Sequence, residues 1–180
     1  AAGRFAASLE QLEGADVMNR FQTASLVTLR MLVGWHFCYE GLAKLLDPYW
    51  TSAGYLSASQ WWFKGLFIHL SANPTAMRLI DGVNAWGLAL IGLLLIVGSL
   101  NRIAAVAGMA LLFLYYIAAP PLVGLSYPIP AEGAYLIVNK VLIELAALWV
   151  LLVFPTARQF GLDALLHRRA AGQEPSATQA

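Results

Sequence analysis

The sequence predicts an all-α integral membrane protein: a bundle of four membrane-spanning helices, with short interfacial helices in the first loop and at both termini. Three observations carry this. Of 180 residues, 59% are hydrophobic and only 12% charged, about half the roughly 25% charge of average soluble chains. Mean hydropathy is +0.65. Four apolar stretches are long enough to cross a hydrocarbon core of about 30 Å, which needs roughly 20 helical residues.

The same composition excludes other classes. So apolar a chain is not intrinsically disordered. A net charge of +1, from 11 basic and 10 acidic residues, supplies no field to hold a nucleic-acid backbone. The single cysteine, Cys38, permits no internal disulfide and no cysteine metal site.

Taken in order, residues 1–22 form a surface segment in which Phe5, Leu9, Leu12 and Val17 make an apolar stripe. Glu10, Glu13 and Asp16 leave no apolar core for a cleavable signal. Residues 23–169 form one transmembrane domain. The first span covers residues 23–46. The loop from Asp47 to Ile80 holds Tyr49, Trp50, Tyr55, Trp61, Trp62, Phe63 and Phe67; Tyr and Trp favour the headgroup layer. One or two short helices are expected there. The first starts near Ser57 or Ser59, and the next is capped by Asn73 with Pro74 at its first position and runs on into the second span. The second and third spans, 81–100 and 103–119, are joined only by Asn101-Arg102 as a tight antiparallel hairpin. Pro120-Pro121 ends the third and Pro155 the fourth, 134–154. Residues 160–169 read as a short amphipathic helix with a basic end, and 170–180 as a disordered tail. Six Lys and Arg flank the spans on the side of the termini (Arg4, Arg20, Arg102, Arg158, Arg168, Arg169) against three opposite (Lys44, Lys64, Arg78). That bias places both termini in the cytoplasm of a multi-pass inner-membrane protein.

The spans contain Arg30, His36, Glu40, Lys44, Lys140 and Glu144. A charge at the bilayer centre costs about 2.5–3.5 kcal/mol, so these groups must face the bundle interior, pair or reach water. At about 100° per residue, Arg30, His36, Glu40 and Lys44 share an arc of roughly 120°, and Asn139, Lys140 and Glu144 one of roughly 140°. Two such stripes are buried by facing each other. With about 1.5 Å rise per residue, Glu40 and Lys140 both lie about 9 Å below the outer surface, and His36 and Glu144 about 15 Å. The expected contacts are Glu40 with Lys140 and His36 with Glu144. Asp81 and Asn84 sit near the same level, while Arg30 lies toward the cytoplasmic side.

The plainer reading is that the ion pairs only fix helix register. Lys44 as a snorkelling residue, Cys38 as a small buried apolar group, and His69 and His167 at the interface belong to it. His36-xxx-Glu40 gives only two potential ligands, so no metal is expected. Ala104-xxx-Gly108 and Gly87/Gly92 read as small residues for close helix packing.

The segment Trp35-His36-Phe37-Cys38-Tyr39-Glu40-Gly41-Leu42-Ala43-Lys44-Leu45 resembles the first-helix signature of the DoxX/DoxD membrane protein family. Residues 73–108 resemble its central hairpin, and 132–163 its fourth helix and C-terminal turn. The family includes the DoxD-type subunit of thiosulfate:quinone oxidoreductase. The resemblance implies a quinone-linked redox role, with oxidation of a reduced sulfur anion such as thiosulfate at the outer face. The other reading is a non-catalytic subunit that anchors a larger complex. In the enzymatic reading His36, Glu40, Lys140 and Glu144 are catalytic, with His36 and Glu144 relaying protons. Lys44, Arg78, Asp81, Asn84 and Asn139 would bind substrate. Trp35, Tyr39, Trp86 and Tyr135 would wall a quinone slot. Quinone is the expected cofactor or substrate, with no haem, flavin or metal. Expected partners are the lipid bilayer and further membrane or outer-face subunits, and not nucleic acid.

Overall fold

The computed structural model describes residues 20–127, 136–154 and 161, and every regular element among them is helical. The elements are α1 (Arg20–Leu46), α2 (Ala53–Ser57), α3 (Lys64–Ser71), α4 (Pro74–Val97), α5 (Asn101–Ala118) and α6 (Lys140–Val153). By length and composition, α4 and α5 are apolar enough to cross a membrane. The 27 residues of α1 extend about 40 Å but carry Arg30, Glu40 and Lys44. The 14 residues of α6 extend only about 21 Å. The expected terminal surface helices and the tail lie outside the described residues.

The helix ends follow from local chemistry. Asn73 caps α4, its Oδ1 accepting from Thr75 N at 3.0 Å and Ala76 N at 3.2 Å, with Pro74 next. As expected, α4 then continues into the second apolar stretch. It ends at Gly98, whose φ of +69° is the left-handed conformation glycine adopts freely. Gly98 N and Ser99 N both donate to Leu94 O. The hairpin turn therefore lies at 98–100, and Asn101 and Arg102 already belong to α5, where the sequence had suggested a two-residue linker. α5 stops at Ala118, just before Pro120-Pro121.

The last helix differs more. Leu136 has φ +65°, and Asn139 is extended, its side chain accepting from Leu142 N at 3.0 Å. The cap starts α6 at Lys140, not at residue 134. Tyr116 Oη donates to Ile137 O at 2.7 Å and ties this non-helical lead-in to α5. Replacing Asn139 with alanine should cost about 1 kcal/mol, while aspartate should retain most of it. Thermal unfolding in detergent of the two variants measures this, and an alanine as stable as the aspartate would rule the cap out.

The loop helices start at Ala53 and Lys64, not near Ser57 or Ser59. The reason is a long-range anchor. Asp81 accepts from Thr51 Oγ1 at 2.8 Å, Ser52 N at 2.9 Å and Ser52 Oγ at 2.6 Å, which fixes the chain where α2 begins. Leu56 and Phe67 then pack with Met77 and Ala118 in a small second core over the ends of α4 and α5.

The four long helices close a ring: α1 packs on α4, α4 on α5, α5 on α6, and α6 touches α1. Phe37, Leu95, Leu148 and Leu151 are fully buried at its centre. The closest approach is between α1 and α4. A Cβ on Gly41 would stand 2.3 Å from Ala89 N, and one on Gly92 would stand 2.2 Å from Cys38 N. Gly108 likewise admits Leu148 of α6, but Gly87 has open space before it and closes no contact. Outward positions are occupied by Leu32, Leu79, Ile103, Val106, Phe113 and Trp149, all exposed. A water-facing helix would carry polar residues there.

Candidate functional site

The polar stripe of α1 looks toward α6. His36 Nε2 stands 3.1 Å from Glu144 Oε1, the pair expected from their common depth. One turn on, Glu40 Oε2 lies 3.5 Å from Lys44 Nζ. These four side chains, with Tyr115 of α5 and Lys140 of α6, line a cavity of about 100 Å³ whose remaining wall is Phe37, Leu88, Leu112 and Val141. A drug-sized site occupies roughly 300–1,000 Å³; this one has room for a small ion or a few waters.

The pairing inside the cavity departs from expectation at one point. Glu40 takes Lys44 of its own helix, and Lys140 borders the shared space instead of closing on Glu40. Lys140 stands in the first turn of α6, directly after the Asn139 cap. Of the other expected substrate residues, Asn84 is buried beside the cavity, where its Oδ1 accepts from Tyr115 Oη at 2.8 Å and Lys44 Nζ at 3.4 Å. Asp81 is committed to the α2 anchor and Asn139 to the α6 cap. Arg78 is exposed and apart from the cavity lining.

Trp35, Tyr39 and Trp86 are 63%, 64% and 60% exposed and face outward, and Tyr135 lies outside the described residues. Trp35 and Tyr39 stack on each other with centroids 6.5 Å apart, one residue step, or about 100°, around α1 from His36 and Glu40. Arg30 is 97% buried by its 3% exposure but sits at the other end, against the Gly98 turn, where a Cβ would lie 3.2 Å from its guanidinium nitrogens.

Tyr115 is the site residue that sequence reasoning missed. It joins α5 to the cavity: its ring centroid is 5.7 Å from Lys44 Nζ, its hydroxyl holds Asn84, and its backbone carbonyl accepts from Tyr55 Oη at 2.8 Å. Burial pushes the Tyr55 phenol above its ordinary range, which keeps it a neutral donor. Trp50 completes the surroundings of Lys44, its ring centroid 5.1 Å from Nζ. A signal was available, since Tyr115-Tyr116 places hydroxyls near the end of an otherwise apolar helix.

Chemically, the cavity sets cationic and anionic side chains around a histidine in an apolar shell, an arrangement suited to holding a small charged ligand and a proton. A protein of membrane character whose described elements are all helical, with ionisable side chains gathered between the first and last of them, is the class this arrangement defines. The DoxX family profile matches residues 25–120, more than half of the 180-residue chain, and the chain belongs to the DoxX family. No curated protein and no solved structure matches it. The matched segment supplies His36, Glu40, Lys44, Asn84 and Tyr115; Lys140 and Glu144 come from the chain beyond it.

Proposed function

We propose that this DoxX-family chain is a multi-pass inner-membrane subunit with a quinone-linked redox role, whose cavity receives a reduced sulfur anion such as thiosulfate from the outer face. The observation that carries the reading is the 3.1 Å contact of His36 with Glu144 in a cavity that both Lys44 and Lys140 line. Four helices cross the bilayer in this reading, with both termini cytoplasmic. The 14-residue α6 is short for a core of about 30 Å, a mismatch that local thinning of the bilayer absorbs.

The lysines offer the anion charge and hydrogen-bond donors. The His36–Glu144 pair holds a proton beside it. A tailed quinone exceeds a cavity of about 100 Å³, so it approaches from lipid along the exposed Trp35–Tyr39 face. Two thiosulfate anions give up one electron each as an S–S bond forms between their outer sulfurs, and the quinone takes both electrons with two protons to become quinol. Further membrane or outer-face subunits and lipid cover the exposed apolar faces.

Quinone reduction with thiosulfate, assayed on the purified wild type and on Glu40→Gln and Lys140→Met, tests the proposal. Each substitution should lower the rate at least about tenfold, which is about 1.4 kcal/mol in the barrier. Unchanged rates would remove these residues from the mechanism. A wild type that reduces no quinone yet copurifies with a larger complex would favour the anchoring role.

A further inference from the structure

We infer that the cavity takes up its anion together with a proton, held by the His36–Glu144 pair, so that anion affinity rises as pH falls. This rests on the anion reading above and concerns how the same site admits such a ligand. Among the described residues, the lining carries two lysines, two glutamates and one histidine. With His36 neutral, the positive and negative charges balance. The charges are also engaged with one another: Glu40 lies 3.5 Å from Lys44, and Glu144 lies 3.1 Å from His36. The remaining wall is apolar, and Phe37, Leu88 and Leu112 are buried.

Such a site has no surplus positive charge to spend on an incoming anion. A dianion would leave the lining with two uncompensated negative charges in surroundings that penalise net charge. One proton reduces that to a single charge. The place for it is set by geometry, because Nε2 of His36 already faces Glu144 Oε1 within hydrogen-bond distance. Among the described residues, the groups around this pair include Glu40 and Lys44 from α1, Lys140 from α6 and Tyr115 from α5, while α4 contributes Leu88, with Asn84 behind Lys44. Of these, Lys140 and Lys44 are the cations an anion would meet, and neither can supply a proton without losing the charge that attracts it.

The charge count makes a sharp prediction for one substitution. Glu144→Gln removes a negative charge at nearly constant volume. The variant reaches the same final charge with a dianion bound and no proton taken up. It should therefore bind the anion in a pH-independent way, and more tightly than the wild type at pH 8.

The experiment is calorimetric titration of the full-length protein in detergent with sodium thiosulfate, repeated in two buffers of different ionisation enthalpy. The wild type should take up about one proton per anion, with affinity falling about tenfold per pH unit as pH rises. Glu144→Gln should take up close to none. Glu40→Gln alters the charge equally and serves as the second variant should Glu144→Gln fail to fold. Wild-type binding without proton uptake would overturn the inference and leave the anion reading standing, as would uptake in both variants equal to the wild type. Absence of any thiosulfate binding by folded wild type would remove the anion reading and this inference with it.

Discussion

Replacing Gly92 with alanine is expected to force α1 and α4 apart and to remove most of the folded protein. The added Cβ would lie 2.2 Å from Cys38 N, 2.5 Å from Gly34 O and 2.7 Å from Cys38 Cα. All three are backbone atoms of the facing helix, so no side-chain rotation relieves the overlap. Overpacking a core costs about 1–3 kcal/mol when side chains can yield. Here the helices themselves must separate, and with them the packing of Phe37, Leu88, Ile91 and Leu95 in the main core. The cost should reach or exceed the top of that range, a large part of the roughly 5–15 kcal/mol that holds a domain together. Gly82→Ala and Gly87→Ala, on the same helix but facing open space, should stay within about 0.5 kcal/mol of the wild type. Size-exclusion profiles and thermal midpoints in detergent distinguish the cases. A Gly92→Ala protein as stable as Gly87→Ala would mean that the two helices do not meet at this residue.

Close approach of this kind is only partly legible in a sequence. Small residues in an apolar helix announce that some helix comes near, but Gly87 and Gly92 look alike until the rotation of α4 against α1 decides which one faces the contact. The elements themselves were clearer. Asn73-Pro74 and Pro120-Pro121 act through backbone chemistry that needs no tertiary partner, and α4 and α5 begin and end close to them. Where a boundary depends on a side chain chosen by tertiary structure, local sequence does not locate it. Asn139 could have sat inside a longer apolar helix, but its carboxamide caps α6. Asp81 offered itself to a substrate, but Thr51 and Ser52, some thirty residues earlier, occupy its carboxylate. Helical periodicity placed His36 and Glu144 on facing stripes, and their equal depth brought them together. It could not decide between Lys140 across the bundle and Lys44 one turn away as the partner of Glu40, because both satisfy the same stripe. The outward aromatics follow the same logic. Trp35, Tyr39 and Trp86 are compatible with a pocket wall or with an apolar exterior, and only the packing of α1 on α4 turns them outward.

Lys44→Met is expected to destabilise the protein by roughly 2–3 kcal/mol, and adding Glu40→Gln should restore a good part of that loss. The lysine serves several partners at once: Glu40 at 3.5 Å, Asn84 at 3.4 Å, and the rings of Trp50 and Tyr115 at 5.1 and 5.7 Å. Removing one member of a buried ion pair costs about 3–5 kcal/mol, chiefly because the other charge is left behind. The Glu40 side chain is 44% exposed against 16% for Lys44, so the penalty here falls below that range. Asn84 keeps its bond from Tyr115 in the variant, which also limits the damage. Methionine preserves most of the lysine stem, so lost packing contributes little. The double variant removes the stranded carboxylate, and the cycle should show a coupling of about 1–2 kcal/mol. A lysine that merely snorkelled to the interface would hold its ammonium in water, and Lys44→Met would then be nearly neutral and uncoupled from Glu40. Denaturant or thermal unfolding of the four proteins in the same detergent measures the cycle. A coupling near zero would mean that the cavity charges are solvated singly and not held as a set, and the charge balance that links anion and proton would lose its physical basis.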